Sequence, residues 1–283
     1  MPRRAPIIAC LTSCYGRFGA EAAIHKVRDA GLACIELPIR TAGFASRAGD
    51  PPFLTDEATP AEVERVRQLL AKEEVAVASV NAISGNPLQP QVVRIIRRKL
   101  EIAAALGVQK VVIDAGSHET DDERMTLLTH LTEIAEQAHR LGQTVCCETH
   151  RGVCQDHRSM LDLMKAVEHP ALRLNFDTAN ILYYNENVFG EVALGKVCQY
   201  VKAIHLKDSM GRFGQWYFPA LGEGGAVDFV RVLEIMRGVR FPGPYTIEIG
   251  GIEGEGELTL DQYHDRVKRS VKYLKSLGYF EAK

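Results

Sequence analysis

Short apolar runs alternate with longer amphipathic segments from one end of the chain to the other, eight times over. The runs read as strands near 6–12, 33–38, 75–81, 110–115, 143–148, 172–177, 201–206 and 244–249. Helices follow near 19–30, 59–73, 90–106, 121–141, 157–168, 187–199, 226–237 and 260–277. A strand separated from the next by a helix pairs with it in parallel, because the helix carries the chain back across the sheet. Eight such units in 283 residues suit a closed barrel, which needs about 250. The pattern predicts an α/β protein, a single (β/α)8 TIM barrel domain over residues 1–283, with a doubly wound open sheet as the competitor.

Local signals agree. Thr59-Pro60-Ala61-Glu62 offers a cap, a first-turn proline and an acid near the positive end of a helix. Leu127, Leu128, Leu131, Ile134, Ala135 and Ala138 fall on one helical face. Two long loops, 39–58 and 207–225, follow the second and seventh strands. Both belong to the C-terminal rim, where this architecture builds its active sites, so they read as lids or substrate walls.

Four strands end on a group that packing does not explain. Gln-Thr-Val-Cys-Cys-Glu ends on Glu148, Leu-Arg-Leu-Asn-Phe-Asp on Asp177, Val-Lys-Ala-Ile-His on His205, and Tyr-Thr-Ile-Glu on Glu248. Core strands favour Val, Ile and Leu, and a buried charge is costly unless paired or bound to metal. The first three are one strand–helix unit apart; the step to Glu248 is longer by the 207–225 loop. Four neighbouring staves would then aim one ligand each at one place. Three carboxylates and an imidazole favour a fairly hard divalent ion with room for water or substrate: manganese, magnesium or cobalt, with zinc allowed. The alternative is that these residues cap strand ends and pair with nearby lysines and arginines.

Composition excludes several other classes. A net charge of −2 gives no electrostatic case for nucleic acid or an anionic membrane. No apolar run approaches the roughly 18 residues of a membrane span. The basic Met-Pro-Arg-Arg opening precedes only a short apolar run ending at Thr12-Ser13, which reads as a first strand rather than a signal peptide. Seven scattered cysteines form no closely spaced pairs of the zinc-ribbon kind and suggest no disulfide framework, so a reducing cytoplasm is expected. A helical exterior leaves a homo-oligomer open.

The segments Val-Cys-Cys-Glu-Thr-His-Arg-Gly, Asn-Phe-Asp-Thr-Ala-Asn, Ala-Ile-His-Leu-Lys-Asp, Leu-Gly-Glu-Gly and Tyr-Thr-Ile-Glu-Ile, in this order, resemble the sugar phosphate isomerase/epimerase family. That family comprises xylose-isomerase-like TIM barrels, related to endonuclease IV. The resemblance implies one metal held by Glu148, Asp177, His205 and Glu248, with Glu148 and Glu248 also moving protons. Asn180 and Asn81 stand where endonuclease IV-like members carry further metal-binding histidines, so a trinuclear zinc site is incomplete. Asn180 and Cys154 likewise depart from the ketose 3-epimerase pattern.

Such a site suits proton abstraction beside a carbonyl. A divalent ion chelated by a hydroxyketone stabilises an enediolate, and glutamates from the fifth and eighth strands flank it. Return of the proton to the opposite face epimerises, return to the neighbouring carbon isomerises, and loss of a β-hydroxyl dehydrates. The expected function is metal-dependent isomerisation or epimerisation of a sugar, inosose or related polyhydroxy carbonyl compound. A dehydratase or lyase, or a non-catalytic sugar-binding barrel, are the alternatives.

Further substrate-binding candidates lie on the same rim. His150, two residues after Glu148, suits a substrate hydroxyl, and Arg151 a phosphate or carboxylate. Asn180 and His118 are candidate contacts. Glu36, in Ile-Glu-Leu-Pro, suits a substrate contact or the orienting of a ligand. Lys207 is expected near the substrate, with Asp208 holding the loop. Trp216, the only tryptophan, suits a sugar face or loop packing. Gly222-Glu223-Gly224-Gly225 reads as a turn presenting Glu223 at the metal mouth, since it lacks the Lys-Ser/Thr of a phosphate-binding loop.

Overall fold

The protein is described by a computed structural model over residues 5–44, 46 and 49–282; Met1 to Arg4, Ala45, Arg47, Ala48 and Lys283 lie outside the described residues. The order is β1 (Ile8–Leu11), a 3₁₀ segment (Thr12–Phe18), α1 (Gly19–Lys26), β2 (Cys34–Pro38), α2 (Pro60–Lys72), β3 (Ala76–Asn81), α3 (Pro90–Ala105), β4 (Lys110–Ile113), α4 (Asp121–Arg140), β5 (Thr144–Glu148) and α5 (His157–Val167). There follow β6 (Leu172–Asp177), α6 (Asn180–Tyr183), α7 (Gly190–Val197), β7 (Val201–Leu206), β8 (Tyr217–Phe218), α8 (Phe229–Gly238), β9 (Tyr245–Ile247), β10 (Gly251–Ile252) and α9 (Leu260–Ser276). Strands β1 to β7 and β9 pair in parallel in chain order, and β9 closes onto β1. This is the (β/α)8 barrel, and closure excludes the open sheet.

The helices start where their caps dictate. Thr59 and Glu62 satisfy each other's backbone N–H groups at the start of α2, and Thr120 with Glu123 do so at α4. Such caps contribute about 1 kcal/mol each. In α4, Leu127, Leu131, Ile134, Ala135 and Ala138 are buried, as the spacing predicts. The helix predicted from 226 begins instead at Phe229. Asp228 caps it by accepting from Arg231 N, and the Val227 N–H is committed to Asp208.

Alternation along the strands separates two apolar regions. Cys147 joins the main core between sheet and helices. Cys146 forms a separate cluster with Val112 and Ala203. Cys146 and Ala203 lie two residues before Glu148 and His205, so they share the inward faces of those strands. The barrel centre is thus closed by small side chains beneath the ligand layer.

The two long rim loops differ in how they are held. After β2, Lys99 of α3 reaches out and donates to Thr41 Oγ1 at 3.0 Å, Ile83 O at 3.2 Å and Ser84 Oγ at 2.8 Å. After β7, the short β8 pairs antiparallel with β10. That pair went unpredicted, being two residues long on each side. It joins the loops after β7 and β9, and Trp216 Nε1 donates to Gly250 O at 3.2 Å. Among the described residues no helix is long and apolar enough to cross a membrane.

Candidate metal centre

Parallel register brings the four predicted ligands together. Asp177 is directly opposite His205, and Glu148 is opposite Asn175, two residues before Asp177. Glu248 continues past β9, its N–H donating to Leu206 O at 2.9 Å. One ligand atom from each of Glu148, Asp177, His205 and Glu248 lies within 4.8 Å of the others. The first three residues are buried, and Glu248 is partly so.

The polar atoms of the cluster are unevenly satisfied. Glu148 Oε2, Asp177 Oδ2 and Glu248 Oε2 are buried without a hydrogen bond. His205 Nδ1 faces Glu148 Oε1 at 3.2 Å and Glu248 Oε2 at 2.9 Å, the latter contact lacking hydrogen-bond alignment. On the other side His205 Nε2 lies 2.9 Å from Glu36 Oε1. An imidazole that donates one N–H to a carboxylate presents its other nitrogen to a cation, the usual bracing of a metal-bound histidine. Buried carboxylate oxygens without donors also suit a cation, since leaving them so is costly. The donor set therefore fits a divalent ion, with oxygen ligands in the majority.

Electrostatics agree. Burial pushes Asp177 up to about 6, against the pull of Lys207. Burial would raise Glu248 too, but Lys207 and His205 hold it well below the usual carboxylate range. Burial disfavours a charged His205, yet Glu36 and Glu148 raise it well above its ordinary value. The acid cluster thus attracts positive charge, and a bound cation would take the place of the His205 proton.

The other candidates sort by position. Lys207 is buried, with Nζ 2.7 Å from Glu248 Oε1, 3.6 Å from Asp177 Oδ2 and 3.2 Å from Asn180 Oδ1. Asn180 is spent on the protein: it accepts from Lys207, and its Nδ2 donates to Thr149 O at 3.0 Å. His150 faces Asp114 Oδ2 through Nδ1 at 3.3 Å and packs edge-on against Tyr184. Trp216 packs edge-on against Phe218 and Tyr183. Asp208 holds its loop as expected, accepting from the N–H groups of Ser209, Gly222 and Val227.

Three expectations need correction. Glu36 does not face a substrate: it is fully buried behind His205, accepting from Ser79 Oγ at 2.7 Å and Thr246 Oγ1 at 3.2 Å. Of its two expected roles, the geometry allows the orienting of a ligand. His118 is not brought to the cluster. Asn86 ties down Ser117, and His118 lines a cleft of about 320 Å³ with Arg124, Leu127, Gly152, Val153 and Leu163 and none of the four ligands. Glu223 pairs with Arg269 on α9 instead of facing the mouth.

Sequence reasoning missed Asp114, Tyr183 and Tyr184. Asp114 was visible as an acid one residue past β4. The tyrosines lie at and after the four-residue α6, too short for any periodicity to reveal.

No curated protein matches the chain by sequence. Solved structures share its architecture. D-psicose 3-epimerase from Clostridium cellulolyticum, solved with D-tagatose, is 13% identical with a TM-score of 0.71, over 97% of this chain and 99% of that one. The probable 3-DHS dehydratase AsbF from Bacillus anthracis is 14% identical with a TM-score of 0.69, over 95% and 98%. A xylose isomerase-like TIM barrel protein from Mycobacterium smegmatis, in complex with magnesium, is 16% identical with a TM-score of 0.71, over 96% and 97%. At these identities the likeness establishes the fold alone. The sequence profile described as xylose isomerase-like TIM barrel matches residues 24–277, and the chain belongs to that family.

Proposed function

We propose that the protein is a divalent-metal-dependent isomerase or epimerase of a polyhydroxy carbonyl compound, with Glu148, Asp177, His205 and Glu248 as the metal ligands. The observation that carries this reading is the trio of buried carboxylate oxygens without hydrogen bonds, facing an imidazole already braced by Glu36. A divalent ion held there supplies Lewis acidity to a carbonyl oxygen. Glu148 takes a proton from the carbon beside that carbonyl. A proton returns from the other side of the site, where Lys207 carries one beside Glu248. Lys207 holds Glu248 in place, and His150, steadied by Asp114, meets a substrate hydroxyl at the mouth. The epimerase and magnesium-bound neighbours support this reading at the level of chemistry shared on one fold.

A dehydratase is the second reading, and one observation favours it. The two glutamates are not equivalent, because Lys207 engages Glu248 at 2.7 Å and does not engage Glu148. Epimerisation asks for two matched proton carriers, whereas elimination needs one base and a separate acid. AsbF, a neighbour of the same fold, is described as a probable dehydratase.

The test is deuterium uptake from heavy water into a panel of hydroxyketones, with and without added magnesium or manganese. Metal-dependent exchange that disappears in Glu148→Gln supports the reading. Exchange indifferent to chelator, or absent from every ketone tried, rejects it. Product analysis then separates a deuterated epimer or isomer from an enone.

A further inference from the structure

A row of rings borders the ligand cluster. Lys207 Nζ lies 4.5 Å from the Phe218 ring centre. Phe218 meets Trp216 at 4.8 Å, Trp216 meets Tyr183 at 6.0 Å, and Tyr183 meets Tyr184 at 4.9 Å. Tyr184 in turn meets His150 at 5.0 Å and carries the Arg151 guanidinium carbon 6.0 Å from its centre. The row has a cation at each end. One, Lys207, is committed to Glu248 and Asn180. The other, Arg151, is exposed, and among the described residues no acidic side chain pairs with it. Arg40, which follows β2 on the same rim, contrasts with it, being held by both oxygens of Asp50 at 2.9 Å. Asp114, the acid that follows β4, is engaged by His150 and by Gly116 N.

The position of Arg151 is built. The next residue, Gly152, has φ +105°, and a Cβ there would stand 2.1 Å from Gly116 O, so only glycine permits this turn. Val153 N then donates to Gly116 O at 3.0 Å. On the other side Gln155 Nε2 donates to Tyr184 O at 3.2 Å, and Asn185 Nδ2 to Gln155 O at 2.9 Å. The β5–α5 loop is thereby tied both to the β4–α4 loop and to the segment that carries Tyr184. A guanidinium resting on an aromatic ring keeps its N–H edge free, and that edge matches a carboxylate or phosphate in two parallel hydrogen bonds. The cluster is the place for the substrate's carbonyl, so an anionic group held by Arg151 belongs to another part of the same substrate.

We infer that Arg151 anchors an anionic group of the substrate, and that the substrate is a polyhydroxy ketone ending in a carboxylate or phosphate rather than a neutral sugar. This rests on the reading of the site as a polyhydroxy carbonyl pocket. Trp216 is the chain's only tryptophan and stands in the ring row, so its fluorescence reports binding without turnover. The full chain in magnesium is titrated with three ketoses of equal carbon number: D-fructose, D-fructuronate and D-fructose 6-phosphate. The expected result is that one anionic ketose binds about tenfold or more tightly than D-fructose, and the tighter of the two identifies the anion. Arg151→Met brings that advantage to within about twofold and leaves D-fructose unchanged, while Arg151→Lys retains part of it as a point charge without the fork. Equal binding of all three by the wild type, or an anion preference that survives Arg151→Met, overturns the anchor alone. Silence from all three overturns the polyhydroxy carbonyl reading together with it.

Discussion

The two halves of the barrel end their strands on similar residues and treat them in opposite ways. On the β2–β4 side, Glu36, Ser79, Asn81 and Asp114 close on protein partners. Glu36 alone is met by Ser79, Asn81, Thr246 and His205, with both oxygens occupied. On the β5–β9 side, Glu148, Asp177 and Glu248 each keep a buried oxygen without a hydrogen bond. The Glu36 network is complete and braces its neighbour. The other half keeps three oxygens without hydrogen bonds, two of them beside His205 and Lys207. A charged strand end is therefore not a site by its nature; the candidate site is where three carboxylates with unpaired oxygens converge on one imidazole.

The comparison breaks most visibly if the leftover acceptors are removed. Glu148→Gln and Glu248→Gln are each expected to cut deuterium exchange by about 10²–10⁴ while leaving the far-ultraviolet circular dichroism unchanged. Exchange within a few-fold of wild type would place proton transfer elsewhere. Next in size is the effect of the ion on stability. At a hundred times its dissociation constant, magnesium or manganese should stabilise the fold by about 2.7 kcal/mol, seen as a rise in melting temperature that chelator reverses. Asp177→Asn should lose most of that rise. On the bracing side, Glu36→Gln is expected to weaken metal binding by about 10–100-fold in equilibrium dialysis, because His205 loses the carboxylate that orients it. Affinity equal to wild type would mean that the two halves are uncoupled. The smallest effect is expected at His118, which faces its own cleft: His118→Ala should leave exchange within about twofold, as expected for a polar change away from the site.

Much of this was legible because it is local. Period-two and near-3.6 patterns follow from the geometry of strand and helix, and they located the barrel elements within a few residues. Glu148, Asp177, His205 and Glu248 stood out because a charge ending an apolar strand needs a reason. The failures have a common cause as well. Glu36 and His118 were placed by their position on the rim, yet the direction of each side chain depends on the neighbouring strands and loops. Glu223 was expected at the mouth because it lies in the loop after β7, and Arg269 on the last helix draws it away. Tyr183 and Tyr184 escaped notice because α6 is a single turn whose role comes from where β5 and β7 set it.

The order of apolar and polar residues along the chain was enough to determine a parallel barrel with four ligand-type groups at consecutive strand ends, since strand and helix periods act over a few residues. The tertiary structure alone decided which carboxylate supports and which stays open. That choice depends on contacts such as Glu36 with His205, made across the closed sheet between residues far apart in sequence, and hydrogen-bond geometry of that kind leaves no periodic trace in the order of residues.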